Sequence, residues 1–381
     1  MRFTQPSSAR TLNRLRALNL IANNDNLSRA DIARHLNLNK VSTSEIVNQL
    51  IKEELIYEKG LTTTSVGRPP TALLLNKDSQ MVLAIELTSR ATNVALVNLK
   101  GELLRFERQP PLKEPTKEVL AATIINLANK FTSKMRESSL IKALAISLNA
   151  EVDNQQGTII RHFEWDLHHF NLAEVLAMHL DYPIILENNV KAMGLGYKWF
   201  NTEEDNYKTL FVNWADEIQV AYLDGGNILL DNSLIAHIPM ANSGVCRCGA
   251  VGCLETQAAG WSFLETYPEA TSLRELNNLS KTDNNIENDI LNGSEYLALA
   301  LIYTASLIRC EKILINTIFD QRFFNSLKAT FARKAPKELK QIELELTPYK
   351  EQIGIMGTGA LALDQIIFRR SLVEQIKTAS L

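Results

Sequence analysis

Val82-Leu83-Ala84-Ile85-Glu86-Leu87, then Asn93-Val94-Ala95-Leu96-Val97 and, past Lys100-Gly101, the stretch 103 to 108 read as three strands joined by short turns. The same sketch returns in Thr209-Leu210-Phe211-Val212, in Gln219-Val220-Ala221-Tyr222 and, after Asp224-Gly225-Gly226, in Ile228-Leu229-Leu230. A strand pattern that recurs within one chain predicts two similar α/β lobes, and lobes paired in this way commonly take a ligand into the cleft between them. Helices fit residues 117 to 136, 172 to 179 and 190 to 200, with strands at 143 to 148 and 183 to 186 between them. The polar stretch 277 to 294 fits either a loose insertion or short helices.

Ahead of the repeat the pattern is helical. Leu12, Leu15 and Leu18 give one apolar face between Ser8 and Asn23. Ser28, with Asp31 three residues on, stands where a capping box would open a second helix carrying Ile32, Ala33 and Leu36 inward. After Asn37-Leu38-Asn39 a third helix runs from about Lys40 to Glu54 and buries Ile46, Val47, Leu50 and Ile51. Three helices with so short a second turn read as a helix-turn-helix. The start of the third helix offers Lys40, Ser42, Thr43, Ser44 and Asn48 to base edges or phosphates. Two strands around a Gly/Thr/Ser-rich tip then form a wing, and Gly67-Arg68-Pro69-Pro70 holds Arg68 as a minor-groove probe.

Composition supports this division. The chain has 381 residues, 45% hydrophobic and 22% charged, enough for two or three domains with real cores and too apolar for general disorder. Its net charge of -3 hides an asymmetry: residues 1–77 hold 11 Lys and Arg against 6 Asp and Glu, which leaves 29 against 37 for the rest. A basic head on an acidic body predicts that the head meets a polyanion. No apolar run is long enough for a membrane span, and the N-terminus lacks a signal core, so a cytoplasmic protein is expected.

Three of the four cysteines crowd into Cys246-Arg247-Cys248-Gly249-Ala250-Val251-Gly252-Cys253, and His237 lies nine residues before the first. Four N and S donors suit tetrahedral Zn²⁺, and the glycines let the backbone bend enough to aim the sulfurs at one point. A site closed by four protein ligands is structural, because it leaves no position for a water nucleophile. Cys310, alone near an apolar segment, is expected in the core.

A winged helix-turn-helix ending in Gly-Arg-Pro, a doubled α/β body, and His237 followed by Cys-x-Cys-Gly-x-x-Gly-Cys-Leu-Glu closely resemble the ROK family of repressors and sugar kinases. The resemblance covers essentially the whole chain and points to the repressor branch, which includes the xylose and N-acetylglucosamine repressors. It implies a winged helix-turn-helix domain at 1–77 and, at 78–381, a two-lobed actin-like (ribonuclease H-like) domain for effector binding and dimerisation, with a zinc loop at 237–253.

The resemblance also marks what is missing. In the family's kinases an Asp precedes a Gly-Gly-Thr phosphate turn; Glu86-Leu87-Thr88-Ser89-Arg90 stands here. The second Gly-rich phosphate loop is replaced by Asn213-Trp214-Ala215-Asp216-Glu217-Ile218. The family's Glu-Asn-Asp, whose Asp is the general base, reads Glu187-Asn188-Asn189, and an amide takes up no proton at neutral pH. The chain is therefore expected not to be an enzyme; the alternative is a ROK sugar kinase carrying a DNA-binding head. Family members carry Glu-x-Gly-His before the zinc loop, where this chain has Leu234-Ile235-Ala236-His237. Asn188, Asn189, His237, Glu255 and Trp165 remain as candidates for holding a sugar or sugar-derived effector, with His237 shared between zinc and ligand. A homodimer or higher homo-oligomer on a double-stranded operator, controlled by that effector, is the implied mode of action. A body that binds no ligand and answers to a protein partner, or a redox-active cysteine loop, are the other readings.

Overall fold

The computed structural model describes residues 6–60, 71–133, 140–162, 165–200, 208–224, 227–231, 233–347 and 352–369. Two compact units divide them. One takes the described residues within Met1–His162, Asp166–Ala192 and Gly354–Leu381; the other takes those within Phe163–Trp165 and Met193–Ile353.

The first unit begins with α1 (Pro6–Asn23), α2 (Arg29–Leu36) and α3 (Lys40–Lys52), followed by β1 (Ile56–Gly60) and β2 (Thr71–Leu75), which pair antiparallel. The sequence sets each boundary by a local bond. The Ser28 side chain accepts from Asp31 N while the Asp31 carboxylate accepts from Ser28 N at 2.9 Å, so both ends of the capping box are made. Asn37 closes α2 in the left-handed region at φ 53°, a conformation an Asn tolerates better than a branched residue. Two residues on, Asn39 caps α3 by accepting from Ser42 N at 2.8 Å. Leu18, Ile21, Ile32, Val47, Leu50, Ile56 and Leu73 close a dry core beneath these elements.

The remainder of the unit is built on β3 (Met81–Leu87), β4 (Thr92–Asn98), β5 (Leu103–Gln109), α4 (Lys117–Thr132) and β6 (Ile141–Leu148). A small antiparallel sheet of β7 (Ala150–Asp153), β8 (Thr158–His162) and β9 (His168–Asn171) follows, then α5 (Leu172–Ala177), β10 (Ile184–Asn188) and α6 (Asn189–Phe200), which runs on into the second unit. The main sheet has the order β10-β6-β3-β4-β5.

In the second unit come β11 (Thr209–Trp214), β12 (Ile218–Asp224) and β13 (Asn227–Asp231), then a 3-10 turn at Ser233–His237, α7 (Leu254–Ala258), α8 (Gly260–Thr266), α9 (Leu273–Leu279) and α10 (Asn284–Leu307). β14 (Lys312–Thr317), α11 (Gln321–Lys334) and β15 (Glu343–Leu346) complete a sheet of order β13-β12-β11-β14-β15. Numbered within each lobe, both sheets read 3-2-1-4-5. Their first three strands pair antiparallel and the last two join in parallel, so the repeat read from the sequence is a repeat of topology. Trp214, Phe319 and Phe323 pack ring on ring in the second core, with centroids 4.9 and 6.2 Å apart. The polar stretch left open between insertion and helix is helical, because Ser272 caps α9 and Asp283 caps α10. Cys310 is buried, as expected.

α12 (Ile353–Ala362) returns to the first unit from Gly354 and continues as a π-helical turn, Leu363–Phe368. Gly354 lies so close to the Glu86 carboxylate that no Cβ would fit there. Beyond it, Phe368 O accepts from Asn19 Nδ2 of α1 at 2.8 Å, and Lys100 Nζ donates to Ala22 O at 2.9 Å. These bonds seat α1 on the rest of its unit. Among the described residues no helix is long and apolar enough to cross a membrane.

Candidate nucleic-acid interface and metal centre

On α3 the residues at 43, 46, 47 and 50 face the core, and the opposite stripe at helical spacing is Val41, Ser44, Glu45 and Asn48. This corrects one sequence expectation. Thr43 is 1% exposed and its hydroxyl donates to Asn39 O at 2.9 Å, so it is part of the packed turn and not of the outer surface. Lys40 and Asn48 are exposed, Ser42 and Ser44 half-buried. Arg68 falls outside the described residues.

Arg29 is a contributor the sequence reading missed. Its guanidinium donates to Asn48 Oδ1 at 2.8 Å and to Glu58 Oε1 at 2.7 Å, tying α2 to the outer face of α3 and to β1. Only the fold brings those residues together, since Asn48 and Glu58 are far from Arg29 along the chain. Arg10 pairs with Glu45, Arg14 with Glu53 and Arg34 with Asp31, so much of the head's cationic surplus is already engaged within the head. Lys40, exposed in the first turn of α3, is the sequence-predicted cation best placed for a phosphate.

The two turns that replace phosphate loops use their own donors. After β3, Thr88 N donates to Ala91 O at 3.0 Å, and Arg90 N and Ala91 N donate to Thr88 Oγ1 at 3.3 and 3.0 Å. Three backbone N–H groups that a cradle would offer an anion are thus held by the turn itself. After β11, the fully buried Trp214 donates its indole N–H to Ala258 O at 2.8 Å. Ala215 N donates to Glu217 O at 3.2 Å, and Ile218 N reaches Glu255 Oε1 at 3.4 Å.

Just before the first turn, Glu86 is buried, with Oε2 accepting from Asn93 Nδ2 at 2.8 Å. Burial pushes its carboxyl up to about 7; the Asn93 bond and the charge of Arg108 pull the other way. Asn188 and Asn189 end β10 and begin α6, both buried. Asn188 Nδ2 donates to Ala150 O and its Oδ1 accepts from Val190 N. Asn189 Nδ2 donates to Leu87 O at 3.0 Å, while its Oδ1 has no partner among the described residues. Trp165, only 8% exposed, belongs with His237 and Glu255 to the second unit, whereas Asn188 and Asn189 belong to the first.

The cysteine loop folds as the glycine spacing suggested. Gly249 and Gly252 adopt φ 87° and 74°, and a Cβ on Gly252 would collide with the Ala241 carbonyl. Gly249 N donates to Cys246 O, Cys246 N to Ala250 O, and Met240 N to Gly252 O, which draws the loop back toward His237. The donor atoms of His237, Cys246, Cys248 and Cys253 all lie within 4.8 Å of one another. His237 Nδ1 is 3.5 Å from Cys246 Sγ, and Cys248 Sγ is 3.7 Å from Cys253 Sγ. Sulfurs held ~2.3 Å from one tetrahedral zinc stand ~3.8 Å apart, so these separations fit such an ion. Without one, burial pushes the Cys246 thiol up to about 12 and raises that of Cys253 as well. Arg247 pins the loop to α8: it stacks over Trp261 at 4.4 Å and reaches Glu265 at 3.1 Å.

Residues 82–365 match the ROK family, and the chain belongs to it. Residues 10–61 match the MarR family. The xylose repressor of Caldicellulosiruptor bescii is 22% identical to this chain, over 93% of the chain and 96% of the repressor. The crystal structure of a ROK family transcriptional regulator, a homologue of the Escherichia coli Mlc protein, superposes with a TM-score of 0.79 at 20% identity and covers 96% of this chain and 99% of its own. A ROK family glucokinase from Streptomyces griseus, crystallised with glucose and AMPPNP, gives 0.63 at 14% identity. It is matched over 98% of its length but over only 74% of this chain.

Proposed function

We propose that this chain is a sequence-specific DNA-binding transcriptional regulator, a repressor of carbohydrate-related genes, built on a sugar-kinase fold that transfers no phosphate. The observation that carries the reading is the pairing of a head that presents a polar helix start with two turns in the place of phosphate loops, where five backbone N–H groups are already bonded. Whole-length similarity to a xylose repressor and to a Mlc-like regulator supports it. In this reading residues 1–77 are the DNA-binding domain and 78–381 the regulatory domain. Lys40, Ser42, Ser44 and Asn48 meet bases and phosphates, and Arg68 enters the minor groove.

Zn²⁺ is the ion the loop would hold, on His237, Cys246, Cys248 and Cys253. With all four positions taken by protein, its contribution is to fold the loop and fix the start of α7. A sugar-like effector is supported by Asn189, whose buried carbonyl oxygen lacks a partner among the described residues. For such a ligand to release DNA it must prefer one conformation of the protein over another by a real free-energy difference. A homodimer fits because one short recognition helix gives modest affinity, while two linked heads on a pseudo-palindrome gain effective concentration.

Selection of duplexes from a random pool by the full-length protein, followed by gel-shift titration at fixed salt, tests the reading. A defined sequence should be enriched, Arg68→Ala should weaken its binding by about tenfold, and ATP should not be consumed with any hexose. Failure to enrich any duplex, or hexose-dependent ATP turnover, would overturn it.

A further inference from the structure

Val41 is 70% exposed at the second position of α3, among the polar groups of that helix start. Its isopropyl group adds little to the core beneath, where Thr43, Ile46, Val47 and Leu50 pack. A β-branched side chain is also a poorer helix former than Ala. At helical spacing Val41 stands on the outermost stripe with Ser44, Glu45 and Asn48, opposite the packed face. Among the described residues of the head it is the large apolar side chain most open to solvent, ahead of Tyr57 on β1 at 44%.

Residues at the N-terminal end of a recognition helix are those that reach base edges in the major groove. On those edges the four bases present donors and acceptors, and one of them adds an apolar group, the thymine C5-methyl. We propose that Val41 packs against the C5-methyl of a thymine in each half-site and so selects thymine over cytosine at that position. The inference rests on the reading of the head as a DNA-binding domain. Val41 suits the task because its branched methyls hold one preferred rotamer, so little side-chain freedom is lost on contact. Asn48, two turns along the same stripe and braced by Arg29, supplies a polar contact further along the groove.

The test uses the full-length protein and the duplex it enriches from a random pool. Each thymine of that duplex is replaced singly by deoxyuridine, which removes the methyl and leaves every hydrogen-bonding group in place. The single replacement at the contacted thymine should weaken wild-type binding about three- to fivefold, the effect of burying one methyl group. Val41→Ala, which loses the contact in both half-sites, should bind the parent duplex more weakly by roughly tenfold or more and be indifferent to that same replacement. Val41→Ser, at the same exposed site, should behave alike and guards against a folding defect in either variant. A wild type that binds its enriched duplex yet ignores every deoxyuridine overturns the inference and leaves the head a DNA reader. So does equal sensitivity of wild type and both variants, which assigns the methyl contact to another residue. Absence of any enriched duplex overturns the reading of the head and the inference with it.

Discussion

The turn after β3 and the turn after β11 occupy equivalent positions in two sheets of one strand order, yet different chemistry closes them to phosphate. In the first, a single threonine oxygen bonds two N–H groups of its own turn. In the second, the Trp214 indole is anchored on Ala258 O and the Ile218 N–H is taken by Glu255, an acid from the helix that follows the cysteine loop. The first closure is local. The second depends on a segment near residue 255 that the cysteine loop positions. Glycine loss alone would leave unsatisfied donors; here five of the donors have acceptors, so an incoming phosphate would have to compete with bonds already made.

Emptying the proposed zinc site should separate the two turns most strongly. Chelation, or Cys253→Ser, should unravel the loop and speed amide exchange at Ile218 by roughly a hundredfold or more, with Arg90 and Ala91 unchanged. Equal loss of protection at both turns would erase the distinction between local and supported closure.

An effect of similar size is expected at Glu86, on the strand leading into the first turn. Its pKa is raised from 4.5 to about 7 in the folded protein. The protonated form is favoured by folding, so its contribution is fully present below the unfolded value of 4.5, falls as pH rises toward 7 and levels off above it. Glu86→Gln should therefore stabilise the protein by roughly 3 kcal/mol above pH 7 and by little at pH 4.5. Melting curves across that range provide the check, and a pH-independent difference would contradict the assignment.

Thr88→Val should have the smallest effect. It removes the acceptor for Arg90 N and Ala91 N and should cost about 1–2 kcal/mol in urea unfolding, leaving the second turn untouched.

Much of this was legible in the residues. Ser28 with Asp31, and Asn39 before Lys40, announced the starts of α2 and α3, because capping is a short-range bond between near neighbours. The doubled strand pattern foretold two similar lobes; their common strand order is visible only in the fold. The inward place of Thr43 was also readable, since it shares the spacing of Ile46, Val47 and Leu50, but its hydroxyl suggested a surface role. Arg29 could not be read, because its partners meet only after folding. The strands β7 to β9 are four or five residues long and too short for alternation to stand out. Glu255 was legible as a polar residue beside the cysteines; its bond to Ile218 N was not.

The bond from Asn19 to the carbonyl of Phe368 spans 349 positions of the chain. During synthesis α1 leaves the ribosome long before the turn that anchors it is made. The whole second unit is translated between them. Until the segment around Phe368 docks, a nascent chain carries its N-terminal helices without that tether. A lesion in the turn at Leu363–Phe368 therefore strikes α1, at the far side of the sequence.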